Sequence, residues 1–201
     1  QNIMYFKQNL GFHLWAEVEV VGKALLQQLE KNHPGKRFAL AGDIRRQNET
    51  VEFIEIVTDL DKASIEKEFE TLPDTAIEDE PNERLLVRMP GQPRVRFHFT
   101  GREQFYHTLF MTTGSEEFIE AFLSKYKVPE TPESEEAIFA ENKITFIPPM
   151  LRETAGILDK AASNTLSELI QPSDIRGIIH SHSTWSDGVH TIEQMAKAAK
   201  D

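Results

Sequence analysis

Two stretches of this chain carry side chains whose types and spacing could do chemistry on phosphate groups. The first runs from Arg37 to Thr58, RFALAGDIRRQNETVEFIEIVT. Gly42 lets the backbone approach a phosphate oxygen, Arg45 and Arg46 supply guanidinium charge, and carboxylates on the segment that follows could carry divalent cations. That is the geometry of nucleotidyl transfer. The same residues also fit an ordinary pair of strands with solvated arginines. The second stretch runs from Asp174 to Gly188, DIRGIIHSHSTWSDG. His180 and His182, two residues apart, leave one side of an extended chain, and with Asp187 in the following loop each can donate to a divalent metal.

These groups need elements to hold them. Arg37 to Ala41 and Val51 to Thr58 read as strands flanking a tight turn at Gly42. A helix is expected from Phe12 to Asn32, because Leu14, Val18, Val21, Leu25 and Leu29 form one apolar stripe before Pro34-Gly35 ends it. Asp61 is placed to cap a helix from about Lys62 to Leu72; capping accounts for Asp59 and Asp61 without a metal, although both could serve as ligands. The acidic run from Asp74 to Glu83 reads as a solvated loop or an edge strand. Arg84 to Met89 and Arg94 to Phe99 alternate around Pro90-Gly91-Gln92-Pro93 and predict a hairpin.

Further helices are expected from Glu103 to Thr112, from Ser115 to Tyr126 with Ser115 as its cap, and from Ser134 to Asn142. Pro148-Pro149 forms a stiff turn, and Thr154 to Gln171 reads as one more helix followed by a connection. Ile178 and Ile179 end a short buried strand whose tip presents the two histidines. Thr191 and Gln194 are spaced for a capping box on the last helix.

The chain has 201 residues, 39% of them apolar, enough for one or two cores. Its formal charge of −11, from 33 acidic against 22 basic residues, argues against tight non-specific binding to a polyanion. It has no cysteine, so there is no disulfide framework or thiolate site. No apolar run approaches the roughly 20 residues that span a bilayer and no signal-peptide pattern is present, so a cytoplasmic location is expected. The chain opens on Gln1 and its last residues, MAKAAKD, stop inside a helical pattern; both ends read as cut from something longer.

The residues from Gly42 to Glu55 resemble the palm of bacterial family X DNA polymerases, whose usual pattern is Gly-Ser-x-Arg-Arg-Gly-x-Glu-Thr-Val-Gly-Asp-x-Asp. Gly42, Arg45, Arg46, Glu49, Thr50 and Val51 keep that frame. Thr113-Gly114-Ser115 is similar to a second motif of the family, and ITFIPPMLRE, Ile144 to Glu153, closely resembles its Ile-Pro-Pro-Glu-Leu-Arg-Glu signature. HSHSTWSDG looks like the first motif of the polymerase and histidinol phosphatase (PHP) domain, which follows the polymerase module in that family. The palm frame, the Pro-Pro signature and HSHSTWSDG stand in the family's order.

The resemblance implies an α+β fold: a nucleotidyltransferase-like palm with a mixed sheet flanked by helices over residues 1–100, and a small, reduced thumb over 101–153. A linker over 154–173 and the start of a PHP barrel over 174–201 would follow. It implies Gly42, Arg45, Arg46, Gly114 and Ser115 as nucleotide or DNA contacts, Mg or Mn in the palm, and His180, His182 and Asp187 as ligands for Zn or Mn in a complete PHP domain. The departures fall on the chemistry. Phe53, Glu55 and Arg96 stand where the family has three catalytic aspartates, Asp43 replaces the serine of the phosphate turn, and Met111 and Thr112 replace an aromatic pair near the incoming sugar. A fixed positive charge at Arg96 repels the two cations such a centre needs. Arg96 is expected instead to pair with Glu55, leaving a degenerate centre, weak DNA contact at most, and a role in a DNA repair protein. The alternative is a non-catalytic module that contacts a protein partner.

Overall fold

The computed structural model of the chain describes residues 11–177 and 180–200. The strand expected to end at Ile178 and Ile179 lies outside the described residues. The chain divides into two compact units, Gln1–Leu166 and Ser167–Asp201.

The first unit begins with a short strand β1 (His13–Leu14) and helix α1 (Trp15–Asn32), then β2 (Phe38–Ala41), α2 (Gly42–Arg46), β3 (Thr50–Val51) and β4 (Phe53–Thr58). Helix α3 (Lys62–Glu70) leads to β5 (Ala76–Glu80), β6 (Arg84–Arg88) and β7 (Arg94–Phe99). Five strands form one sheet in the order β2-β4-β7-β6-β5. Only β4 and β7 run parallel within it, so the sheet is mixed. The acidic run forms its edge.

Alternation along the strands sorts the two faces. Ile54, Ile56, Val95, Phe97, Leu85 and Val87 point to one side, where α1 adds Val18 and Leu29 and α3 adds Ile65 and Phe69 to a single core. Phe53, Glu55, Arg94, Arg96 and His98 occupy the opposite face. In the parallel register Phe53 lies opposite Arg94 and Glu55 opposite Arg96.

A second core lies among α4 (Phe105–Thr113), α5 (Glu116–Lys125), α6 (Glu135–Glu141), a 3-10 turn at Pro149–Leu151 and α7 (Ile157–Ala162). It is built on Phe110, Phe118, Phe122 and Phe139, with the Phe110 and Phe122 centroids 4.8 Å apart in an edge-to-face contact. Helix α4 links the second core to the sheet: its Phe105 and Leu109 pack on Ala41 and Val57 in a third, small cluster on the face that carries Glu55, while Phe110 enters the phenylalanine cluster.

The helix starts follow from side-chain caps. Asp61 accepts from the Ser64 amide at 3.0 Å, Ser115 from Phe118 at 3.0 Å and Ser134 from Ala137 at 3.2 Å. Each such cap contributes about 1 kcal/mol.

Three expectations are corrected. Helix α1 starts at Trp15 and not Phe12, because His13 and Leu14 pair with Val51 and Thr50; Leu14 is exposed and the apolar stripe begins at Val18. The expected turn at Gly42 is a one-turn helix, closed by Gln47 in the left-handed conformation at φ 62°. The helix expected from Thr154 to Gln171 covers only Ile157–Ala162. Asn164 turns left-handed at φ 54°, and the Ser163 hydroxyl donates back to the Asp159 carbonyl at 2.8 Å, which ends the helical run. Leu158 and Ala161 of this helix are buried in the phenylalanine core, within the stretch 154–173 that the resemblance assigns to a linker.

In the second unit a 3-10 turn at Pro172–Asp174 precedes the histidine loop, and α8 (Ile192–Lys200) follows it. Thr191 and Gln194 form the reciprocal box: the Gln194 amide donates to Thr191 Oγ1 at 3.2 Å and the Thr191 amide to Gln194 Oε1 at 2.9 Å. Among the described residues no helix is long and apolar enough to cross a membrane.

Candidate functional site

The polar face of the sheet carries a closed cluster of charge. Arg96 on β7 donates through Nε to Glu80 Oε2 at 2.6 Å and through Nη1 to Glu55 Oε1 at 3.3 Å, so the expected pair with Glu55 forms and gains a second acid from the edge strand. The guanidinium also lies 3.6 Å above the Phe53 ring, with Arg94 at 4.5 Å from the same ring. Cations over an aromatic face are held by its quadrupole. His98 Nε2 is 3.2 Å from Glu55 Oε1. Glu52 pairs with Arg94 at 2.8 Å. The chain bends at Glu52, between β3 and β4, so the strand alternation that would send its side chain to the far face does not extend to it.

Burial alone would raise the Glu55 carboxyl, but the His98 and Arg96 bonds and charges outweigh it and hold it below its ordinary value. The Arg96 hydrogen bonds hold Glu80 down as well. Both acids are therefore ionised and matched by cations already in place. A two-cation centre needs free anionic ligands. This set of a benzyl ring, two neutralised acids and a guanidinium does not fit the Mg or Mn that the resemblance implies.

Gly42 meets the same cluster from below. Its φ is +60°, and a Cβ there would fall 1.6 Å from Glu55 Oε2. Only glycine fits. The carboxylate of Glu55 thus takes the close approach to the backbone that the sequence assigned to a phosphate.

Arg45 and Arg46, at the end of α2, are bonded to partners in the helical region. Arg45 donates to Thr113 Oγ1 at 2.8 Å and pairs with Glu135. Glu135 also accepts from Arg152 at 2.6 Å. Arg152 is fully buried, donates to the Ile147 carbonyl at 2.8 Å and lies among the rings of Phe110, Phe139 and Phe146. Burial pushes Glu135 up, but its bonds to Arg45 and Arg152 win and hold it below the usual carboxylate range. Arg46 donates to Glu153 at 2.5 Å and to the Thr113 carbonyl at 2.8 Å, and pairs with Asp43. Desolvation raises Asp43 despite Arg46, helped by the charges of Glu55 and Glu153.

The Thr113-Gly114-Ser115 turn and the Arg152-Glu153 pair close this joint. The Ser115 amide donates to the Arg152 carbonyl at 3.0 Å and its hydroxyl to the Glu153 carbonyl at 2.6 Å. A Cβ on Gly114 would fall 2.6 Å from Phe118. Three motifs from distant parts of the sequence therefore converge on one set of contacts.

The chain has a distant homologue among known proteins. The chain is 29% identical over 183 residues to the DNA polymerase/3'-5' exonuclease PolX of Bacillus subtilis (strain 168). The match takes in 81% of this chain and 32% of that protein, so the chain spans about a third of its relative's length. No protein-family model matches the chain.

In the second unit His180 and His182 stack with ring centroids 5.2 Å apart and Nε2 atoms 3.0 Å apart. Two nitrogens bound to one tetrahedral ion lie about 3.3 Å apart, so these two imidazoles fit two positions on a metal. Asp187 meets the other ring nitrogen of His182, Nδ1, at 2.5 Å, and that bond lowers its carboxyl. In this arrangement Asp187 orients the ring and is not itself aimed at the Nε2 pair. Among the described residues no group of three or more His, Asp or Glu side chains is arranged to hold a metal ion. The donors present do not complete a set for Zn or Mn.

Asp59 and Asp61 are engaged elsewhere: Asp59 accepts from the Arg37 amide at 2.8 Å, and Asp61 caps α3. Sequence reasoning missed Glu80, His98, Glu135 and Glu153. Ala76 to Glu80, AIEDE, has no clear alternation to signal Glu80; the pairing of β5 with β6 and of β6 with β7 carries that acid toward Arg96.

Proposed function

We propose that this chain is a piece of a bacterial family X DNA polymerase-like repair protein, comprising a nucleotidyltransferase-like palm, a reduced thumb and the first motif of a PHP phosphoesterase domain. Its DNA-directed nucleotidyltransferase centre is degenerate and inactive. The palm and thumb serve as a scaffold, and the PHP part of the whole protein trims phosphoester ends. The observation that carries this reading is Arg96, bridging Glu55 and Glu80 on the Phe53 ring where metal ligands belong. The distant homology to the PolX protein supports the assignment.

The isolated chain is expected to add no nucleotide to a primed template with Mg²⁺ or Mn²⁺. Incorporation that is lost in Glu55→Gln would overturn the proposal.

One set of contacts favours a second reading, a non-catalytic module that binds a protein. Arg45 and Arg46, the cations expected to touch DNA, are both spent on internal carboxylates. Binding to duplex DNA measured against salt separates the two, because a DNA-contacting palm weakens steeply as salt rises and a protein-binding module shows no binding to lose.

A further inference from the structure

Nine arginines lie between Arg37 and Arg152, and seven of them form ion pairs. Among the described residues Arg37 and Arg102 form none, and both line the same cleft of about 670 Å³. That cleft lies at the start of β2, the end away from Gly42. The two arginines are held in place without being neutralised. The Arg37 guanidinium carbon sits 5.7 Å from the Phe105 ring centroid and 5.5 Å from that of Tyr106, and its Nη1 reaches the Arg102 carbonyl only at 3.4 Å. Arg102 donates Nη1 to the Gly35 carbonyl at 3.1 Å. Each guanidinium carries five N–H donors in a flat fork, so most of the donors remain uncommitted.

Glu103 and Glu133 line the cleft too, yet neither pairs with Arg37 or Arg102 among the described residues. Everywhere else in this unit an arginine has taken an available acid. Two unneutralised forks facing one space match the several oxygens of a dianionic phosphate, whereas a lone carboxylate is satisfied by one fork. The two glutamates add acceptors for hydroxyl or amino hydrogens on the same ligand, and Tyr106 with the buried Pro132 supplies an apolar wall.

We propose that this cleft binds a phosphate monoester whose organic part carries hydrogen-bond donors. A free nucleoside 5′-phosphate and the 5′-phosphorylated end of a strand share that chemistry. The proposal is independent of whether the palm centre is active.

The test is calorimetric titration of the 201-residue chain with adenosine 5′-monophosphate, with adenosine alone, and with a short oligonucleotide carrying or lacking a 5′-phosphate. Binding of the nucleotide but not of adenosine is expected. Arg37→Gln and Arg102→Gln should each weaken it about tenfold or more, the amount set by losing one charge-assisted contact. Arg88→Gln, whose arginine pairs with Glu78, should leave it unchanged. Thermal midpoints of the variants report whether each folds, and Arg102, on the exposed rim, keeps the test alive if Arg37→Gln does not. Binding of the phosphorylated oligonucleotide over its unphosphorylated form identifies a strand end, and binding of the free nucleotide alone identifies a small molecule; both support the phosphate clamp. Equal binding of adenosine, no binding of any phosphate ester, or undiminished affinity in both folded variants would overturn it.

Discussion

The cluster on the sheet face and the joint between sheet and helices use the same groups in different surroundings. On the sheet face Arg96 and Glu55 keep about a sixth of their side-chain surface exposed, at 16% and 17%. At the joint Arg152 is at 0% and Glu135 at 6%, enclosed by phenylalanines. The first cluster ties three strands of the sheet together across one face; the second ties the end of α2 to the helical core. The difference teaches that the role of an arginine is set by how deeply it and its acid partner are buried and not by the residue types in the pair.

The largest effect is expected at the joint. Glu135→Ala leaves Arg152 charged, buried and without its counter-ion, and should cost about 3–5 kcal/mol in urea unfolding. A cost under about 1 kcal/mol would erase the distinction between the two networks. Gly42→Ala comes next, at about 2–4 kcal/mol, from a left-handed backbone and a collision with Glu55. Arg96→Ala, in the more open cluster, should cost about 1–3 kcal/mol by the same measurement. If it costs more than Glu135→Ala, the comparison is inverted.

Acid sharpens the contrast further. Glu55, Glu80 and Glu135 all hold their protons more weakly in the folded chain than at their ordinary value of 4.5. Their contribution is complete above that value and is lost as pH falls through the lower folded values. Thermal midpoints should therefore drop as pH falls below about 4.5, and Glu135→Gln should flatten the drop. Asp43 runs the other way: its carboxyl is raised above 3.8, so its ionisation destabilises the fold as pH rises past that value. Asp43→Asn should leave stability at neutral pH within about 0.5 kcal/mol or raise it slightly.

Much of this was legible before the structure. The period-two pattern from Phe53 and from Arg94 gave both central strands, and Asp61, Ser115, Ser134 and Thr191 marked helix starts by residue type alone. The Arg96–Glu55 pair was expected because the family resemblance puts both residues at neighbouring positions on one face. What was not legible lies at long sequence separation: Arg45 meets Glu135 across 90 residues and Arg46 meets Glu153 across 107, and no local pattern encodes either contact. The helix expected to run to Gln171 failed for a local reason, since a left-handed Asn164 and back-bonded hydroxyls outweigh the apolar spacing beyond it.

The central claim is that the sheet face binds no pair of divalent cations, because Arg96 already neutralises the acids there. The most direct measurement is Mn²⁺ titration with a deoxynucleoside triphosphate present, read as paramagnetic broadening of individual amide signals. Signals of Phe53, Glu55, Glu80 and Arg96 are predicted to stay sharp at one to two equivalents. Selective broadening of those four, abolished in Glu55→Gln, would contradict the account.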